Sequence, residues 1–382
     1  MREKLDIGQI NTEAFVYEDN QAWFVHSKYN ALFEVDLNNG KCKYLGYIPQ
    51  EEIEMPTLYV NIKKYDKYLI MAPFMANDIA IYDIEQQKFI KIKLKTYSSG
   101  YLREKFSDLV VYKNNVFFIP MTYPAVVCLN MDDFGLEYIE NIVLDAEKRR
   151  LNQRYLFNIK PVQQGGTLWL GCFATNCIIE FHLDTYEYIY HEIEECEKGM
   201  SGIGYRKGIF WLIQYPQYKI ISWNLETSKA KLYDNFPEEF EGGSYPFSHI
   251  ICEAQRILFL PEQANMILML NPENGTFKGE IRQDEKQKGK IEYETYVTYN
   301  GEVFLIKYNG TIVKIKENLK EKKVCFLYLS VEDINILYNQ LSEAELRNRK
   351  KIRKVMHENV LGESALKGYL KIIVGSEKED IL

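Results

Sequence analysis

The chain has little histidine and little proline, 5 His and 11 Pro in 382 residues. So few imidazoles leave scant material for a histidine-built catalytic centre, and so little proline argues against long disordered linkers. No stretch approaches the roughly 18 apolar residues of a membrane-spanning helix. The opening Met-Arg-Glu-Lys-Leu-Asp-Ile-Gly has no apolar segment behind its charges, so a soluble, cytoplasmic chain with no membrane partner is expected. A charge of one sign is missing too. Against 54 Asp and Glu stand 47 Lys and Arg, and the net charge of −7 gives no general pull toward nucleic acid. No Walker loop, dinucleotide fingerprint, nucleophile elbow, His-Glu-x-x-His pair or paired Cys-x-x-Cys occurs. The 7 Cys are scattered, mostly within apolar runs, and read as reduced buried thiols.

Aromatics are abundant instead, with 29 Tyr and 20 Phe. Such residues suit half-buried pleated surfaces, so sheet is expected. A repeat specifies which kind. The 14-residue frame WFVHSKYNALFEVD ends at Asp36, and comparable frames end at positions 83, 130, 184, 224, 271 and 316, separated by 47, 47, 54, 40, 47 and 45 residues. Each frame is an apolar run, a polar loop and a second apolar run. Before each lie another strand and a tight turn such as Asn300-Gly301 or Gly165-Gly166, and after each comes a further turn and a fourth strand. Four antiparallel strands per unit, repeated seven times, is the arithmetic of a seven-bladed β-propeller.

The fold class expected is therefore all-β, a seven-bladed β-propeller over residues 13–329, with a C-terminal α-helical appendage over 330–382. Residues 1–12 form an N-terminal segment, of which residues 3–10 are the candidate extra strand that would close the ring. Beyond Ser330 the pattern turns helical. Ser330 with Asp333 has capping-box spacing, and Ile334, Leu337, Tyr338 and Leu341 share one face. The basic run RNRKKIRK at 347–354 reads as a solvated helix face rather than a nucleic-acid site.

Propeller geometry turns equal offsets in the chain into equal places around an axis. The loops between second and third strands gather on one face, and six of the seven carry an aromatic: Tyr29, Phe74, Tyr123, Phe173, Tyr215 with Tyr218, and Tyr308. Asn30, Asn77, Asn176, Asn265 and Asn309 accompany them. Rigid rings with adaptable amides can grip a peptide, protein or glycan. The same residues can instead plug the channel top and satisfy turn backbone. A second set lies nine residues before each frame: Ala14, Asn61, Asp108, Lys160, Gly202, His249 and Glu294. These positions begin the innermost strands at the channel mouth. Asp108, His249 and Glu294 are the candidates for a general acid/base or divalent-metal cluster, and a hydrated polar channel is the plainer account.

The corners AIYDIEQQK, EVDLNNGK and SWNLETSK resemble the blade ends of WD-repeat and kelch-like bacterial propellers. The Gly-His dipeptide of the WD family is absent, its Trp-Asp becomes Trp223-Asn224, and the kelch double glycine occurs once, at Gly165-Gly166. His249 and Glu294 are similar to the His and Glu metal ligands of streptogramin-lyase-like propellers. The resemblance implies the fold and carries no family's functional residues over. The leading expectation is a non-catalytic binding scaffold with no cofactor. Its alternative is a metal-assisted lyase or hydrolase at the channel mouth.

Overall fold

The computed structural model describes residues 10–51, 56–97, 103–152, 155–157, 160–216, 219–243, 245–282, 293–330 and 332–333. Seven sheets, each built on four antiparallel strands, follow one another along the chain with their strands in sequence order. Blade 1 is β1 (Ala14–Glu18), β2 (Gln21–Val25), β3 (Ala31–Asp36) and β4 (Lys41–Tyr47). Blade 2 is β5 (Tyr59–Tyr65), β6 (Tyr68–Pro73), β7 (Ile79–Asp83) and β8 (Lys88–Ile92), and blade 3 is β9 (Phe106–Tyr112), β10 (Asn115–Pro120), β11 (Val126–Asn130) and β12 (Leu136–Ile139). A helix, α1 (Asn141–Lys148), precedes blade 4, which is β13 (Val162–Gln164), β14 (Thr167–Gly171), β15 (Cys177–His182) and β16 (Tyr188–Glu192). Blade 5 is β17 (Met200–Arg206), β18 (Ile209–Gln214), β19 (Ile220–Asn224) and β20 (Ala230–Tyr233). Blade 6 is β21 (Phe247–Cys252), β22 (Ile257–Pro261), β23 (Met266–Asn271) and β24 (Thr276–Ile281). Blade 7 is β25 (Tyr293–Tyr299), β26 (Glu302–Lys307), β27 (Thr311–Ile315) and β28 (Glu321–Phe326), followed by β29 (Tyr328–Leu329).

The apolar runs of the second and third strands are continuous because both faces of each blade are covered by neighbouring blades. One cluster joins β2 and β3 to blade 7 through Phe24, Phe33, Phe304 and Ile306, and another joins blades 3 and 4 through Phe117, Cys128, Ile179 and Phe181. The Asp or Asn that ends most frames has a local task. Asp36 accepts from the Asn38 N–H at 3.0 Å, Asn224 from Thr227 at 2.9 Å and Asn271 from Glu273 at 2.9 Å, which folds the turn into the outer strand.

Five innermost strands start with a β-bulge, at Tyr59/Asn61, Phe106/Asp108, Met200/Gly202, Phe247/His249 and Tyr293/Thr295. The bulge buries the residue before it, Tyr59, Phe106, Met200, Phe247 and Tyr293, and re-aims the residue after it. This corrects the expected ring at one place. Thr295, not Glu294, is the counterpart of Asn61, Asp108, Gly202 and His249, because Leu305 pairs with Val313 where Met71 pairs with Ala80, so the blade 7 loop is one residue shorter. Glu294 sits on the bulge itself.

Ring closure involves a short strand after blade 7. The VCFLYL run reads as one strand, but β28 ends at Phe326 and β29 crosses to blade 1, where Tyr328 and Leu329 pair in parallel with Lys41 and Cys42 of β4. Blade 1 thus has five strands. Of the candidate strand over 3–10, residues 1–9 lie outside the described residues; Ile10 is buried and the Asn11 carbonyl accepts from the Ser27 N–H at 2.9 Å. Gly40 makes the crossing possible. Its φ is +78°, its carbonyl accepts from the Tyr328 N–H at 3.1 Å, and a Cβ there would fall 2.0 Å from the Phe326 carbonyl oxygen. Gly40→Ala is therefore expected to lower stability by about 1–3 kcal/mol. Chemical denaturation measures it, and an unchanged midpoint would separate Gly40 from closure.

Ser330 and Asp333 form the expected reciprocal cap: the Asp333 N–H donates to Ser330 Oγ at 3.1 Å, and the Ser330 N–H to Asp333 Oδ2 at 3.2 Å. The other carboxylate oxygen of Asp333 accepts from the Tyr44 N–H of β4 at 2.9 Å. The helical appendage expected after this point, including the 347–354 run, lies outside the described residues. Among those described, no helix is long and apolar enough to cross a membrane.

Candidate functional site

Two regions bring candidate residues together: the central channel and the face formed by the loops between second and third strands. In the channel the bulges aim Asn61, Asp108, His249 and Thr295 inward, and all four are buried. The Asn61 amide donates to Asp108 Oδ1, which also accepts from the Leu109 N–H at 2.7 Å. Lys160 reaches across from the segment before β13, donating from Nζ to Thr295 Oγ1 at 3.2 Å and to the Tyr296 carbonyl at 3.1 Å. Its ammonium lies 3.9 Å from the Tyr296 ring centroid, a cation–π contact. The same ring meets His249 edge-on at 5.2 Å, while His249 Nδ1 is 2.9 Å from Ser248 Oγ.

Burial dominates the electrostatics here. It pushes the Asp108 carboxyl up against the opposing pull of Lys63 and Lys160. It lowers Lys160 to about 8, with Asp108 raising it and Lys63 lowering it further. His249 is driven well below the usual imidazole range by burial and by the Lys160 charge, so it is neutral at pH 7. Glu294 does not join this group. On its bulge it faces Glu13, and burial with that like charge pushes it up to about 8, while burial alone pushes Glu13 up to about 7. Among the described residues no three His, Cys, Asp or Glu side chains gather as a metal-holding group. Asp108, His249 and Glu294 are therefore not one cluster, and Lys160 supplies the cation beside Asp108. Of the other two channel positions, Ala14 is buried and Gly202 presents no side chain; a Cβ on it would lie 2.9 Å from Ile213 Cδ1.

On the loop face the aromatics divide. Tyr29 and Tyr123 are buried in the blades, the Tyr123 hydroxyl donating to the Lys95 carbonyl at 2.7 Å. Phe74 is half-buried against the core shared by blades 2 and 3. Tyr308 is exposed, and Tyr218 lies outside the described residues. Phe173 and Tyr215 stand 4.8 Å apart, and Tyr245 stacks on Tyr215 at 6.3 Å. The asparagines act as staples between loops. Asn77 donates its N–H to Glu51 at 3.1 Å, and Asn265 both accepts from the Glu241 N–H at 3.0 Å and donates to the Glu239 carbonyl at 2.7 Å. Asn30 accepts from the Leu58 N–H at 3.3 Å.

The chain between blades 3 and 4 builds something sequence reasoning missed. There α1 and the residues after it form, with the 121–124 loop, a cavity of about 490 Å³ lined by Met121, Pro124, Leu144, Tyr155 and Leu156, with Tyr123 in its wall. Leu144 is 49% exposed and Leu151 51% exposed. Backbone bonds tie this segment to the neighbouring loops: Leu151 N–H to the Ala174 carbonyl at 2.8 Å, Phe173 N–H to Leu156 at 2.7 Å, and Tyr215 N–H to Gly199 at 2.8 Å.

The chain is a seven-bladed β-propeller, and solved propellers share its fold. Virginiamycin B lyase from Staphylococcus aureus is 14% identical with a TM-score of 0.57, over 79% of this chain and 93% of that one. The extracellular domain of a hybrid two-component system from B. thetaiotaomicron is 8% identical with a TM-score of 0.54, covering 80% of this chain and 38% of that one. PorZ, a surface component of the type-IX secretion system of Porphyromonas gingivalis, is 8% identical with a TM-score of 0.53, covering 83% of this chain and 39% of that one. No protein-family model and no curated protein matches the chain. At these identities the likeness concerns fold alone.

Proposed function

We infer that the protein is a non-catalytic binding propeller that holds a peptide segment of a partner protein on its loop face, between α1 and the blade 3 loop. The observation that carries this reading is the pair of half-exposed leucines, Leu144 and Leu151, beside a groove of about 490 Å³. A volume in the range of ~300–1,000 Å³ suits a few side chains of an extended ligand. The lining suits a peptide: beside the Tyr123 and Tyr155 rings, Met121, Pro124 and Leu144 offer aliphatic surface. Charge at the rim is already paired, Arg150 holding Glu147 through two bonds at 2.7 and 2.6 Å, so specificity falls to shape and to Phe173, Tyr215 and Tyr245 beyond the groove.

Selection of peptides from a random display library on the wild-type protein tests this. Apolar peptides are expected to enrich, and the Leu144→Glu, Leu151→Glu double variant should bind them at least about tenfold more weakly, the loss typical of one desolvated anchor. Both positions are exposed, so the fold should tolerate the change. No enrichment, or equal binding by the variant, would end the reading.

A further inference from the structure

The sequence holds four Asn-Gly pairs, Asn39-Gly40, Asn274-Gly275, Asn300-Gly301 and Asn309-Gly310. In each the glycine has positive φ, between +74° and +79°. Such pairs can react with themselves, because a glycine nitrogen is unshielded by a side chain and can attack the carbonyl carbon of the asparagine side chain. The fold restrains three of the four.

At those three, both reacting groups are tied. The Gly40 N–H donates to the Asp36 carbonyl at 2.7 Å, Gly275 to Asn271 at 2.8 Å and Gly310 to Lys307 at 2.9 Å. The side-chain oxygen of each asparagine accepts a backbone N–H two residues on, Asn39 from Lys41 at 2.7 Å, Asn274 from Thr276 at 3.0 Å and Asn309 from Thr311 at 3.0 Å. Gly40 and Gly310 are buried as well. Asn300 differs on every count. Its turn joins β25 to β26 with Tyr299 opposite Glu302, and Asn300 itself has a φ of +50°, as a two-residue type I′ hairpin requires. Among the described residues no hydrogen bond engages the Gly301 N–H, and none ties the Asn300 side chain to the backbone. Both residues are exposed, and no atom beyond the chain neighbours lies within 4 Å of where a Gly301 Cβ would stand.

We propose that Asn300 deamidates spontaneously in the folded protein and that the carboxylate it gains loosens the junction of blades 7 and 1. Water is the one co-reactant. The Gly301 nitrogen gives its proton to solvent base and bonds to Cγ of Asn300; the Cγ–Nδ2 bond breaks, and ammonia leaves with a proton returned by solvent. The succinimide so formed takes up one water, which breaks either of its C–N bonds to give aspartate, or isoaspartate with one methylene more in the backbone. Attack needs the turn to open, and an exposed turn lies at the low end of local stability. The effect on the junction follows from position. Tyr299 donates its hydroxyl to Asp19 in the first turn of blade 1, and its ring meets Tyr17 edge-on at 4.6 Å. A negative charge at position 300 repels that acceptor carboxylate, and isoaspartate also lengthens the turn that sets the β25–β26 register.

Incubation of the full chain in mildly alkaline heavy-oxygen water, followed by tryptic digestion in ordinary water and mass spectrometry, tests the site. Peptide 291–307 carries Asn300 and no other asparagine. It should gain about three daltons, one solvent oxygen included. Its rate should exceed those of the peptides carrying Asn39, Asn274 and Asn309 by at least roughly tenfold, since a hydrogen bond must break there first. In urea that unfolds the chain, all four pairs should react at similar rates, and Asn300→Gln should leave peptide 291–307 unlabelled. Anion exchange separates the modified fraction, which should melt at a lower temperature than the unmodified one. No label in peptide 291–307, or equal rates at the four pairs in the folded protein, would overturn the site. Identical melting of the two fractions would overturn its effect on the junction.

Discussion

Replacing Leu327 and Leu329 together by alanine is expected to lower the unfolding free energy by about 4–8 kcal/mol, two buried Leu→Ala truncations at their usual cost. Leu327 is 0% exposed and Leu329 4%, and both belong to the cluster that joins blade 7 to blade 1 through Ile10, Phe15, Phe33 and Phe304. These leucines carry β29 across the junction between the two ends of the ring. The backbone pairing is short, two residues against Lys41 and Cys42, so side-chain burial supplies most of the attachment. Stability of a folded domain is about 5–15 kcal/mol, which makes this loss comparable with the whole. An Ile189→Ala control, at a position 51% exposed on an outer strand, should shift stability by no more than about 0.5 kcal/mol. Urea denaturation followed by circular dichroism measures both. A double variant as stable as the control would show that the ring closes by blade packing alone.

The repeat was legible because the constraint behind it is periodic. Every blade must bury two central strands and end its third at a turn, and residues such as Asp36, Asn224 and Asn271 write that turn in the chain at fixed offsets. The channel register was readable for the same reason, since one bulge recurs at the head of five inner strands. It failed at Glu294 because a loop shortened by one residue in blade 7 moves every offset counted through it. Side-chain destination was less legible. A tyrosine in a loop reads alike whether it faces solvent, as Tyr308 does, or packs inward as Tyr29 and Tyr123 do, because only the neighbouring blade decides. The α1 groove left one trace, the spacing of 54 residues where 47 is usual. Closure by β29 left none, since the residues that leave blade 7 continue its β pattern without a break.

Across the channel mouth, Glu294→Gln is expected to change how stability depends on pH. The sign follows from the direction of the shifts. Burial raises Glu294 from 4.5 to about 8 and Glu13 from 4.5 to about 7, so the native state holds protons that the unfolded chain releases. Stability contributed by this pair is complete below pH 4.5, falls as pH rises above that value, and is fully lost once pH has passed 7 for Glu13 and 8 for Glu294. Each unit of separation is worth about 1.4 kcal/mol, and because the two carboxyls repel, they release their protons as a pair. Glutamine keeps the shape of the protonated acid and cannot ionise. At pH 5 the variant should match the wild type within about 0.5 kcal/mol, and at pH 9 it should be more stable by about 3 kcal/mol. Glu13, relieved of its like-charged neighbour, should then titrate closer to the ordinary carboxylate range. Denaturation at pH 5, 7 and 9, read as the difference between variant and wild type, removes the contribution of every other titrating group. A difference that stays constant across that range would mean Glu294 ionises freely in the folded protein, and the channel would then hold one negative charge more than its geometry implies.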